Sequence, residues 1–91
     1  MYKEDLLSEI EKLEKEIAIS EKKTYIINTR VKRLLLFLKD YNSKIQSEEL
    51  SDLIDELSLC GESRGYVYGG VFDKQQYYSL LDNIKNLLES C

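Results

Sequence analysis

Residues 3–45 have the sequence KEDLLSEIEKLEKEIAISEKKTYIINTRVKRLLLFLKDYNSKI, and this stretch decides the fold. Apolar or small side chains recur along it with alternating spacings of four and three residues, the heptad pattern of a helix with one buried seam. The seam comprises Leu6, Ile10, Leu13, Ile17, Ser20, Thr24, Ile27, Val31, Leu34, Leu38, Tyr41 and Ile45. Because no glycine or proline interrupts it, the pattern predicts one long coiled-coil helix over residues 3–42.

The length of this helix limits how it can be buried. At about 1.5 Å per residue it would extend roughly 58 Å, which is too long to lie across a compact monomer of 91 residues. We therefore expect either that the helix pairs with a second chain or that it breaks near Ser20. A strand over residues 24–31, which are rich in strand-forming side chains, is an alternative that would give a mixed fold. The unbroken heptad favours the helix.

Two shorter amphipathic helices are predicted in the second half of the chain, over residues 47–60 and 74–90. Ser47 is a candidate N-cap for the first of them, and acidic residues follow it in the first turn. Asp73 and Gln76 form a capping-box arrangement at the start of the other. The pattern predicts that both helices pack on the long one.

The segment between these two helices has a different composition. Residues 61–72 contain all four glycines of the chain, interleaved with aromatic and β-branched side chains. Such a pattern predicts a small β-hairpin or a loop. The fold class is therefore all-α, or nearly so, in a single domain spanning residues 1–91.

Charge is divided into three blocks along the chain. Residues 22–44 hold seven basic and one acidic side chain, whereas both flanking blocks are acidic and the net charge is -4. In an antiparallel pair of long helices Glu9 would face Arg30 and Glu16 would face Lys23, while a parallel pair would bring acid against acid. The pattern predicts an antiparallel homodimer. Its predicted seam is Leu6, Ile10, Leu13, Ile17, Ile27 and Val31.

Composition argues against catalysis. The chain contains no histidine, and serine and cysteine nucleophiles, like catalytic zinc sites, usually depend on imidazole. Its two cysteines, Cys60 and Cys91, have no spacing or partners typical of a metal site, so we expect a half-buried Cys60 and a surface Cys91. We predict that the protein is not an enzyme and has neither a metal site nor a cofactor.

A protein partner is the function that the sequence favours. Tyr66, Tyr68, Tyr77 and Tyr78 lie in or beside the glycine-rich segment, and tyrosines on loops are common binding anchors. We predict an acidic adaptor, structural subunit or inhibitor that contacts its partner through these rings. One specific variant is a phage or mobile-element inhibitor that mimics nucleic acid. The alternative is that the rings only cover the core.

Nucleic-acid or nucleotide binding is the second functional hypothesis. The basic block would supply the contacts, with Lys22, Lys32 and Arg33 as the candidate residues. The acidic balance of the whole chain argues against it. Since no apolar run is long enough to span a membrane and the first residues lack the pattern of a signal peptide, we expect a cytoplasmic protein without membrane contact.

Overall fold

The computed structural model describes residues 3–21, 24–61 and 74–90. These ranges form four helices: α1, Lys3–Ile19; α2, Tyr25–Ile45; α3, Glu48–Gly61; and α4, Lys74–Ser90. Each helix packs against its neighbours in the chain, and α1 also packs against α4, which closes a bundle of 39 × 21 × 19 Å. The predicted all-α class is confirmed for this part of the chain. The hairpin predicted at 61–72 lies outside the described residues, apart from Gly61 at the end of α3.

The prediction of one continuous helix over residues 3–42 is wrong. α1 ends at Ile19 and α2 begins at Tyr25. Between them Thr24 acts as an N-cap, because its hydroxyl accepts a hydrogen bond of 3.2 Å from the backbone N–H of Ile27. The break allows α2 to fold back on α1, so the apolar seam is buried within one chain.

The six residues predicted to form a dimer seam all lie in the core of this single chain. Each is fully buried: Leu6, Ile10, Leu13, Ile17, Ile27 and Val31. The antiparallel orientation inferred from charge is realised between α1 and α2, where Arg33 Nη2 lies 3.6 Å from Glu9 Oε1. A second copy of the chain would therefore have to dock on another surface.

The turn between α2 and α3 is closed by local hydrogen bonds. α2 runs three residues past its predicted end at Asn42, and Gln46 then adopts a left-handed conformation with φ 51°. The N–H of Gln46 donates to the carbonyl of Asn42 at 2.8 Å, and the N–H of Ser47 donates to the Asn42 side-chain oxygen at 2.9 Å. Ser47 is the N-cap of α3, as predicted, because its hydroxyl accepts a hydrogen bond of 3.2 Å from the backbone N–H of Leu50.

The two shorter helices were predicted within one residue of their ends. Their apolar stripes join those of α1 and α2 in one core. The buried members from α3 and α4 are Leu50, Ile54, Leu57, Tyr77, Leu80, Leu81, Ile84 and Leu88. Leu53 and Leu87 also belong to the stripes but are only half-buried at the edge of the core.

An ion pair joins the first helix to the last. Lys85 Nζ lies 3.0 and 3.1 Å from the two carboxylate oxygens of Glu14. This hydrogen bond raises the pKa of Lys85, and the charges of Glu14 and Asp82 raise it further against the opposing effect of burial. Near the other end of α4, Lys74 Nζ lies 3.5 Å from the carbonyl oxygen of Ala18.

Candidate functional site

The four tyrosines predicted to contact a partner do not share one environment in the structure. Tyr66 and Tyr68 lie outside the described residues. Tyr77 is only 4% exposed and its hydroxyl donates to the carbonyl oxygen of Cys60 at 2.8 Å, so this ring belongs to the core instead of a binding surface. Tyr78 is half-buried and packs against the core. Cys60 is half-buried, as expected from the sequence.

The three residues predicted to contact nucleic acid also differ in their surroundings. Lys22 lies outside the described residues, and Lys32 is exposed on α2. Arg33 pairs with Glu9, and its guanidinium lies 5.2 Å from the centre of the Phe37 ring. The basic residues of α2 lie between α1 and α3, which are both predominantly acidic, so a phosphate backbone that approaches α2 would also meet carboxylates.

α3 carries negative charge only. All five of its charged side chains are acidic and exposed: Glu48, Glu49, Asp52, Asp55 and Glu56. The ion pairs formed among the described residues involve α1, α2 and α4, and none involves a carboxylate of α3. The acidic row is therefore available to a cationic partner.

A groove of about 590 Å³ runs between α3 and α4. Its lining residues are Glu49, Asp52 and Leu53 from α3, and Asn83, Asn86, Leu87 and Ser90 from α4. Leu53 and Leu87 pack against the core and supply an apolar base. The two carboxylates line one side of the groove, and the two amides and the serine hydroxyl line the other.

Helical periodicity places these side chains together. Positions 49, 52 and 53 are spaced by three and four residues, as are positions 83, 86, 87 and 90, so each set occupies one flank of its helix. The sequence did not reveal this groove, because Leu53 and Leu87 follow the apolar spacing of their helices and so have the pattern of core positions. The available signal was that each leucine directly follows a hydrogen-bonding side chain, Asp52 or Asn86.

The chemistry of this groove suits binding. Carboxylates accept hydrogen bonds from cationic donors, and the asparagine amides both donate and accept. Within residues 3–21, 24–61 and 74–90, no three His, Cys, Asp or Glu side chains are grouped in a way that could hold a metal ion. None of the helices described is both long enough and apolar enough to cross a membrane.

Comparison with protein-family models, with curated proteins and with solved structures finds no match for this chain. Among the described surfaces, the groove between α3 and α4 combines a shallow, open depression with an apolar base and uncompensated charge.

Proposed function

We propose that the protein is a non-catalytic protein–protein interaction module, and that the groove between α3 and α4 binds a basic, amphipathic segment of its partner. The observation that carries this proposal is the row of carboxylates on α3 that form no ion pair with any other described residue, beside a groove with a leucine base. A matching segment would carry lysine or arginine toward Glu49 and Asp52, and an apolar side chain toward Leu53 and Leu87.

The two parts of the groove contribute differently to binding. An exposed ion pair is worth less than about 1 kcal/mol, so the carboxylates chiefly orient the partner and speed its approach. Burial of apolar area against the leucines supplies most of the affinity, at roughly 25 cal/mol per Å². We therefore expect binding that weakens as salt is added but persists at moderate ionic strength.

Such a surface fits an adaptor, a structural subunit or an inhibitor. An acidic helix can also occupy a basic groove that a partner otherwise uses for nucleic acid, which is how the phage or mobile-element inhibitor proposed from composition would act. Direct nucleic-acid binding by α2 is the competing proposal, and the same experiment distinguishes it.

The test is an NMR titration of the ¹⁵N-labelled protein. The probe is a synthetic peptide of about 12 residues, three helical turns, with lysine and leucine on opposite faces. In the matched control peptide glutamate replaces every lysine. We expect the lysine peptide to shift the side-chain amide signals of Asn83 and Asn86, and the glutamate peptide to leave them unchanged. Equal shifts with both peptides, or none with either, would contradict the proposal.

Two variants of α3 sharpen the titration. Asp52→Asn removes a carboxylate that lines the groove, whereas Asp55→Asn removes one from the same helix outside it. Both variants change the net charge equally, so a difference between them reflects the position of the carboxylate. We expect about threefold weaker peptide binding for Asp52→Asn and less than about twofold for Asp55→Asn. A single-stranded DNA arm completes the test. Shifts at Lys32 and Lys39 with DNA, without peptide binding, would favour the nucleic-acid proposal.

A further inference from the structure

The two helices that follow each other in the middle of the bundle carry opposite charge. α2 has five basic residues and one acidic residue, and α3 has five acidic residues and no basic one. Their exposed sides together form one long side of the bundle, which we call the α2/α3 face. It is distinct from the groove, which lies on the opposite flank of α3.

Contacts within the bundle orient α2. Arg33 reaches Glu9 of α1, so the flank of α2 that carries Arg33 is turned toward α1 and the other flank toward α3. At about 100° per residue, Lys32 and Lys39 lie on the flank of α2 that faces α3 and point outward. Leu36 lies between them along the helix axis and points directly away from the core. All three are exposed, and Leu36 is 68% exposed.

The groove orients α3 in the same way. Glu49 and Leu53 face α4, so the opposite flank of α3 is turned toward α2. Asp55 and Leu59 lie on the outward part of that flank. Both are exposed, and Leu59 is 69% exposed. The α2/α3 face therefore presents a basic row, an acidic row and one exposed leucine on each helix.

This arrangement is complementary to a second copy of itself. Most homodimers have two-fold symmetry, and an axis parallel to the helices places α2 of one copy against α3 of the other. An axis in the plane of the face but perpendicular to the helices would bring α2 against α2 and α3 against α3. Like charges would then oppose each other, so the parallel axis is favoured.

Positions along the helices also match. α2 and α3 are antiparallel and joined at Gln46 and Ser47, so residues equally far from this turn lie at the same level. Counting about 1.5 Å per residue places Lys39 level with Asp55, and Leu36 within one helical turn of Leu59. The parallel axis preserves these levels.

We infer that two copies of the chain form a two-fold dimer through their α2/α3 faces. In it Lys39 pairs with the partner's Asp55, and Leu36 packs on the partner's Leu59. α2 and α3 are about 31 and 21 Å long at 1.5 Å per residue and the bundle is about 20 Å wide, so the face offers roughly 400–600 Å² per copy, less than the roughly 800 Å² per partner of a typical stable interface. We therefore expect a dimer that forms at raised concentration and dissociates on dilution. The groove stays open in each copy, so the dimer presents two binding grooves and gains affinity for a partner with two basic segments.

Charge reversal tests the dimer. Sedimentation velocity over a range of concentrations should show a mass that rises from 10.7 kDa toward twice that value. Lys39→Glu and Asp55→Lys should each weaken association about tenfold or more, and the double variant should recover it, because both opposed pairs are restored in reversed order. Lys15→Glu, an equal charge change on the exposed side of α1, is the matched control.

The inference is overturned if the wild type stays at 10.7 kDa when concentrated. It is also overturned if Lys15→Glu weakens association as much as Lys39→Glu does, or if the double variant does not recover. Urea denaturation of each variant shows that it is folded. Because neither Lys39 nor Asp55 lines the groove, peptide binding to the Lys39→Glu variant reports on the proposed function separately.

Discussion

The hydroxyl of Tyr77 donates a hydrogen bond of 2.8 Å to the backbone carbonyl of Cys60, which ties the first turn of α4 to the last turn of α3. The carbonyl belongs to one of the final residues of a helix, where carbonyls lack partners within the helix. Adjacent tyrosines thus have different environments, since Tyr78 packs half-exposed beside the core while Tyr77 lies inside it.

Removal of the Tyr77 hydroxyl is expected to destabilise the fold. Tyr77→Phe keeps the buried ring but loses the hydrogen bond to Cys60, so the free energy of unfolding should fall by about 1 kcal/mol in urea denaturation. Tyr78→Phe is the matched control, because no hydrogen bond of its hydroxyl is found within the described residues. Equal losses for the two variants would show that the Cys60 contact contributes nothing specific.

Stability should decrease in alkaline solution, and Tyr77 should account for much of the decrease. Burial, and secondarily the neighbouring Cys60 thiolate, raise the pKa of Tyr77 in the folded state well above the ordinary value of 10.0. Above pH 10 the unfolded chain loses this proton while the folded chain retains it, so unfolding becomes more favourable as pH rises. Urea denaturation between pH 8 and pH 11 should show a shallower loss for Tyr77→Phe than for the wild type.

Lys85 contributes to the same alkaline effect with a smaller amplitude. Its pKa is raised by the hydrogen bond to Glu14, so the stabilisation is complete below the ordinary value of 10.5 and is lost as pH rises through the folded-state pKa. Lys85→Met should therefore also flatten the profile, though less than Tyr77→Phe because the ion pair is partly exposed to water. A steeper profile for Lys85→Met would contradict the assignment.

The turn after α2 should tolerate glycine better than its natural residue. Gln46 has φ 51°, a left-handed conformation that costs a residue with a Cβ more than it costs glycine. Gln46→Gly should raise the free energy of unfolding by up to about 1 kcal/mol, and Gln46→Val should lower it. Thermal denaturation of the two variants checks both signs, and a lower midpoint for Gln46→Gly would be incompatible with this geometry.

Two threonines at the start of α2 should respond differently to replacement by alanine. Thr24→Ala removes the N-cap acceptor of the Ile27 N–H and should cost about 1 kcal/mol. Thr29→Ala removes a hydroxyl that only donates to the Tyr25 carbonyl within the helix, and alanine is the better helix former there, so stability should be unchanged or higher. The comparison fails if both variants lose stability alike.

The core was predictable from the sequence, but the direction of the chain after residue 19 was not. The eight buried residues of α1 and α2 all lie in the heptad seam, whereas its members Tyr41 and Ile45 are only half-buried. The 4-3 spacing is the same whether the opposing helix comes from the same chain or from another. Ser20 and Thr24 satisfy the heptad as small residues and equally satisfy the needs of a helix end. The pattern could not show which role they have, since that depends on where α2, α3 and α4 lie.

The candidate site was harder to predict for a related reason. The four tyrosines were grouped by their nearness to glycines, whereas the helical phase of α4 decides that Tyr77 faces inward and Tyr78 does not. The groove depends on the spacing between two flanks on different helices, which no single-helix pattern contains. Only the acidic character of α3 was visible in advance, as part of the acidic block after residue 44.

The contact of α1 with α4 has a consequence for the order of folding. Glu14 and Lys85 are 71 positions apart, so the helix that completes the burial of α1 is synthesised after the other three described helices. A nascent chain that has formed α1 and α2 therefore holds half-covered apolar surfaces until α4 arrives, and during that interval it is exposed to aggregation and to capture by chaperones.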